Sequence, residues 1–138
     1  MLVLDTDHLS ELDRNSIAGK RLVERVRRSV DDVATTIVTA QEQLRGWIAQ
    51  VNRFRNPHQQ VMPYARLQGR IEFFAEWLVL PFDDAAADRF DALRASGLRT
   101  GSMDLKIASI VLVNGATLLS RNLSDFENIP GLRVEDWL

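Results

Sequence analysis

The chain has 138 residues, 46% of them hydrophobic and 26% charged, which is the balance of one ordinary globular domain. It has no cysteine, which excludes disulfides, thiol catalysis and thiolate metal sites, and its two histidines are too few for a histidine-built metal centre. The net charge of −2 is unevenly spread: the stretch from Gln43 to Ile71 holds Arg45, Arg53, Arg55, Arg66 and Arg70 and no acid. Arginine suits bidentate contact with phosphate, so this stretch is a candidate for polyanion binding as well as for a solvated helix face. No apolar run approaches the ~20 residues of a membrane span, and Asp5 stands where a signal peptide needs a basic, then apolar lead. The expectation is a soluble, cytoplasmic protein that does not engage membranes.

In chain order, Leu2-Val3-Leu4 reads as a buried strand ending at Asp5, with a helix starting just after it and Asp7 as its cap. Val23 to Val30 reads as helical and Asp32 to Ile37 as a second strand. Thr39 then caps a helix whose first turn holds Glu42 and whose apolar face is Leu44, Trp47, Ile48 and Val51. Asn56-Pro57 interrupts the pattern. From Val61 to Leu78 apolar residues recur at three- and four-residue steps, a long amphipathic helix, followed by a third strand within Trp77 to Pro81. Asp83 to Ala95 is an Ala-rich helix ending at Ser96-Gly97. Gly101 to Asp104 opens another, which Asn114-Gly115 stops. Ala116 to Ser120 is a fourth strand, Asn122 to Glu127 a turn or short helix, and Leu132 to Val134 an edge strand. Strands alternating with helices define an α/β fold with a parallel sheet and right-handed crossovers.

In such a sheet, sites lie beyond the carboxyl ends of the strands. Asp5 follows a buried strand, where a carboxylate needs a cation or hydrogen bonds to offset its lost hydration. Glu42, Asp104 and Asp125 each admit a plain reading as helix-start acids. Their shared placement just past a strand or at a helix start raises all of them together. A cluster of carboxylates with no Cys or His prefers a hard cation, Mg²⁺ or Mn²⁺, which acidifies a bound water and neutralises charge on a phosphoryl group. Together with the arginine-rich flanks, this points to a phosphodiester.

These residues carry a family resemblance. Leu4-Asp5-Thr6-Asp7, Thr39-x-x-Glu42-x-x-x-Gly46, Gly101-x-x-Asp104 before Ile107-Ala108, and Leu119-Ser120-Arg121-Asn122-x-x-Asp125-Phe126 resemble the PIN-domain ribonucleases, specifically the VapC toxins of bacterial toxin–antitoxin pairs. Ile129-Pro130-Gly131-Leu132 and Asp136-Trp137 extend the match to essentially the whole chain. The resemblance implies a single three-layer αβα domain over residues 1–138, with a central parallel sheet of four to five strands and a variable helical hairpin about residues 50–77. It implies a metal-dependent endoribonuclease in which Asp5, Glu42 and Asp104 hold Mg²⁺ (or Mn²⁺). Either Asn122 or Asp125 would fill the fourth position. Thr6 and Ser120 would support the ligands, while Arg45, Arg53 and Arg55 are candidates for RNA contact. The implied partners are a VapB-like antitoxin, an RNA substrate and a second copy in a homodimer.

Two departures stand out: Asp7 replaces the family's usual Asn, adding charge at the pocket edge, and Gln43 replaces a common Leu. Asp5-Thr6-Asp7 also resembles the signature of haloacid-dehalogenase phosphatases, in which the second Asp is a general acid. A third reading is a non-catalytic domain that binds RNA or protein. Among Trp47, Phe54, Phe73 and Trp77, core packing is the expected role for most, with partner contact the alternative.

Overall fold

The structure is a computed structural model that describes residues 1–14 and 16–138. Five strands, β1 (Leu2–Leu4), β2 (Val33–Thr36), β3 (Val79–Leu80), β4 (Thr117–Leu119) and β5 (Arg133–Glu135), pair in parallel in the order β3-β2-β1-β4-β5. Seven helices connect them among the described residues: α1 (Thr6–Asp13), α2 (Ile17–Arg28), α3 (Ile37–Asn52), α4 (Pro57–Ala75), α5 (Asp84–Ala95), α6 (Ser102–Val113) and α7 (Leu123–Phe126). The α/β class and the parallel sheet expected from the alternation are both present, and β5 is an edge strand as read.

The first strand in sequence is central in space. Its register sets Val3 beside Ala34 on one side and Leu4 beside Leu119 on the other. Because strand side chains alternate between faces, β1 feeds two cores. Val3 joins Leu118, Leu105, Ile107, Ile110 and Phe126 on the face covered by α5, α6 and α7. Leu2 and Leu4 join Leu9, Ala40, Phe74 and Leu119 on the face covered by α1, α3 and α4. A sheet buried on both faces explains why its strands read as continuous apolar runs rather than alternating ones.

Two starts differ from expectation. Asp5, not Asp7, is the N-cap of α1: the chain leaves β1 extended at Asp5 and its side chain accepts the Thr6 N–H at 2.7 Å. Helix α3 begins at Ile37, three residues after β2's Ala34, with Thr36 as the cap accepting the Thr39 N–H. The β-branched run Thr35-Thr36-Ile37-Val38-Thr39 favours a strand by propensity, but the Thr36 cap turns it into a helix partway along. Glu42 therefore sits in the second turn of α3, beyond the reach of the helix-end dipole that made it look ordinary.

The α3–α4 connection is a tight helical hairpin opened by Asn56, whose side chain accepts the His58 N–H, and by Pro57 at the first helical position. On the other side of α1, α2 approaches so closely that a Cβ on Gly19 would lie 2.2 Å from the Glu11 carbonyl oxygen. Only glycine permits that crossing.

Candidate active site

The C-terminal ends of β1, β2 and β4 open on one hollow. Asp5 leaves β1, Glu42 descends from the helix that follows β2, Ser120 ends β4, and Asp104 enters from the first turn of α6. Two of the acids feel their neighbours: Asp5 and Asp104 both raise the Glu42 pKa, and Asp5 and Asp125 raise that of Asp104. The sequence-selected acids are thus gathered from segments far apart in the chain.

Asp5 is nearly buried, and both its oxygens are engaged. One accepts the Thr6 N–H at 2.7 Å, the other the Ser120 hydroxyl at 2.9 Å. Burial nevertheless raises its pKa, with the neighbouring Asp7 charge adding to the rise, because two hydrogen bonds do not replace full hydration. Glu42 is half-buried and accepts the Thr6 hydroxyl at 3.0 Å. Its pKa is raised first by burial and then by Asp5 and Asp104, against a smaller pull from Arg45. Asp104 is raised by burial and then by Asp5 and Asp125. All three carboxylates are held away from water beside like charges, a state that a cation would relieve.

The fourth position involves both candidates at once. The Asn122 side-chain amide donates to Asp125, and the Asn122 N–H donates to the Ser120 hydroxyl at 3.1 Å, so a chain of contacts runs from Asp125 through Asn122 and Ser120 to Asp5. Asp125 carries the charge that Asp104 feels.

Asp7 adds its charge at the edge of the hollow, where it raises the Asp5 pKa, but its own oxygens are engaged. One oxygen faces the His8 ring Nδ1 at 2.9 Å and accepts the His8 N–H, and the other accepts the Arg121 N–H at 2.9 Å. Burial pushes the Asp7 pKa up, but these hydrogen bonds outweigh it and the net direction is down. A carboxylate so committed is not the free second acid that a dehalogenase-type phosphatase needs. His8 was not singled out from sequence. It is fully buried, and its Nε2 accepts the Trp137 N–H at 3.1 Å, fastening the C-terminal segment against α1. The signal was available, since a histidine between two apolar-face positions of a short helix is placed to point inward.

Among the described residues, no three His, Cys, Asp or Glu side chains come close enough together to enclose an ion. Asp5 is oriented by Thr6 and Ser120, and Thr6 also holds Glu42. The donor chemistry still fits Mg²⁺ or Mn²⁺, because Mg²⁺ keeps several waters and is usually held by one or two carboxylates and a substrate phosphate rather than by an all-protein cage.

Of the arginines, Arg45 stands on α3 close enough to Glu42 to lower its pKa. Arg53 and Arg55 lie exposed at the far end of α3, about ten residues and hence roughly 15 Å along the helix from Glu42. The sequence reading placed these three together, and the structure separates them. Phe73 and Trp77 stack with centroids 5.3 Å apart against the second core, while Trp47 and Phe54 line surface cavities of the hairpin.

No family model matches the sequence. A tRNA(fMet)-specific endonuclease VapC of Salmonella typhimurium is 36% identical over 69 residues, 47% of this chain and 52% of that protein. Ribonuclease VapC2 of Rickettsia felis is 42% identical over 45 residues, 33% of this chain and 34% of that protein. The matched sequence thus spans about half the length of the first relative and a third of the second. Among solved structures, the DNA-bound VapBC of Salmonella typhimurium superposes with a TM-score of 0.73 at 25% identity, covering 99% of this chain and 98% of that one. Five parallel strands with acids converging past their ends define a PIN-like αβα domain. In sequence over part of the chain, and in fold over nearly all of it, the chain is similar to VapC proteins.

Proposed function

We propose that this chain is a metal-dependent endoribonuclease toxin of the VapC kind, acting in the cytoplasm on RNA and held in check by a VapB-like antitoxin. The observation that carries the proposal is the convergence of Asp5, Glu42 and Asp104, with Asp125 beside them, past the ends of three parallel strands, each of the first three raised in pKa. The endonuclease and ribonuclease names of the relatives support the activity, and solved VapBC complexes support the antitoxin. No helix among the described residues is long and apolar enough to cross a membrane.

Asp5, Glu42 and Asp104 would hold Mg²⁺ or Mn²⁺, with Asp125 and Asn122 steadying its outer waters. When bound, the cation supplies a more acidic water and neutralises charge on the phosphoryl group during in-line attack. The remaining work belongs to the chain. Ser120 and the Thr6 N–H fix the direction of the Asp5 carboxylate. The Thr6 hydroxyl does the same for Glu42, so the two acids meet at one bridging residue. Until a cation arrives, the acids repel phosphate, and activity without metal should be absent.

The test is cleavage of total cellular RNA by the purified chain, free of antitoxin, with Mg²⁺ or Mn²⁺, with EDTA, and with Asp5→Asn as control. Discrete metal-dependent fragments that vanish in the control support the proposal. Intact RNA with folded, metal-supplied protein, across RNA from several growth states, overturns it.

A further inference from the structure

Beyond the acids, a cavity of about 570 Å³ is bounded by α1, α3 and α4. Its polar lining is Ser10, Asp13 and Arg14 from α1, Gln43 from α3, and Arg66 and Arg70 from α4, with the Trp47 ring as its aromatic wall. It begins one helical turn, about 5.4 Å, beyond the Thr6–Glu42 pair: Ser10 lies four residues after Thr6 and donates to its carbonyl at 2.7 Å, and Gln43 follows Glu42 directly.

Three guanidinium groups border this cavity and only one carboxylate does. Asp13 is taken by Arg70, whose cation also lies 4.1 Å from the Phe73 ring centroid, so Arg70 is held as part of the wall. Arg14 is 70% exposed and pairs with Glu11 through one Nη at 3.0 Å, leaving its other donors free. Arg66 makes no ion pair among the described residues and sits 5.9 Å from the Trp47 ring centroid. A cationic rim over an indole, next to an acidic hollow, is the lining that an unpaired nucleotide needs: guanidinium donors for its phosphate and an aromatic face for its base. A base within a duplex is already stacked on both faces and cannot reach the ring.

We infer that the Arg14–Trp47–Arg66 cavity binds one unpaired nucleotide of the RNA strand, flanking the phosphodiester presented to the acids. This rests on the nuclease reading above but concerns different residues. It assigns the arginine contact to Arg66, which belongs to the arginine-rich stretch, and to Arg14, which the sequence reading did not nominate. The consequence is selection for loops or single strands at the cut site.

The experiment measures binding of a short single-stranded oligoribonucleotide with non-hydrolysable linkages, in EDTA, across a salt series, to the wild type, Arg66→Ala, Arg14→Ala/Arg66→Ala and Trp47→Ala. The arginine variants should weaken binding and flatten the plot of log Kd against log salt by about one per lost phosphate contact. Trp47→Ala should weaken binding about ten-fold with the salt slope unchanged. Both arginines are exposed, and Arg66→Ala alone removes no ion pair, so folding is not at issue. Unchanged affinity and slope in all variants overturns the inference. If the wild type cuts RNA and the variants keep its KM, the cavity assignment falls while the nuclease stands. If the oligonucleotide binds with the expected dependence and no RNA is ever cut, the cavity assignment stands and the nuclease falls. Binding of an acidic peptide with the same arginine dependence, and none of RNA, makes this a protein-docking site and overturns the inference.

Discussion

The two ends of α1 face opposite charge, and the fold handles the two in opposite ways. At its start, Asp5 and Glu42 are buried or half-buried and are held by hydrogen bonds from uncharged groups, Thr6 and Ser120, with like charges close by. At its end, Arg14 and Arg70 are each matched with a carboxylate, and Asp13 and Glu11 are satisfied in return. Charge is neutralised locally where it has a structural task. It is left uncompensated where something from outside must complete it. The acidic end gathers like charges, while the basic end pairs its charges and leaves two Arg70 nitrogens buried without a partner among the described residues.

The sharpest way to break this contrast is Asp5→Asn. Asparagine keeps the cap on α1 and the contact with Ser120, so the fold should survive with little change in Tm, whereas metal-dependent cleavage should fall by about 10³-fold or more. Retention of wild-type cleavage by the folded variant would falsify the proposed role.

Gly19→Ala probes the other end. Its Cβ would strike the Glu11 and Arg14 carbonyls, so α2 must shift away from α1, at a cost of about 2–3 kcal/mol. Denaturant melts would register this, with the residual folded protein still cutting RNA at the acidic end.

Ser120→Ala removes the buried hydroxyl that donates to Asp5 and accepts from the Asn122 N–H. It should cost about 1.5–2 kcal/mol of stability and roughly ten-fold in cleavage, since a hydrogen bond to a charged group is lost and Asp5 is freed to turn. Equal stability of the two proteins at neutral pH would show that Asp5 is already neutralised by other means.

The smallest effect has the opposite sign. Because the Asp104 pKa is raised in the fold above its ordinary 3.8, its contribution to stability is fully present below that value and is lost as pH rises through the folded pKa. Asp104→Asn should therefore raise Tm slightly at neutral pH without metal, and the gain should vanish in acid. The same variant should lose cleavage. A Tm that falls at neutral pH would mean that the like-charge repulsion is not felt.

The contrast was only half visible in the sequence. The parallel sense of the sheet followed from alternation, and every acid of the hollow was named because strand ends in a parallel sheet are where sites form. What hid was side-chain direction at helix starts. Asp5 and Asp7 are two residues apart, and choosing the cap between them requires the backbone angle at Asp5. Asp7 adds charge at the pocket edge as read, but its hydrogen bonds to His8 and the Arg121 N–H could not be seen in the sequence. The basic cavity was missed for a related reason. Arg45, Arg53 and Arg55 are close in sequence, but a helix carries them apart, whereas Arg14 and Arg66 are 52 positions distant and meet only once α1 packs beside the hairpin.

The central place of the first strand has a consequence for the chain's own synthesis. Asp5 precedes its partner Ser120 by 115 residues, and β4 must lie against β1 to position that hydroxyl. A growing chain therefore carries the Asp5 carboxylate long before it carries the hydroxyl that orients it, and the arrangement of the acids waits on the pairing of β4 with β1.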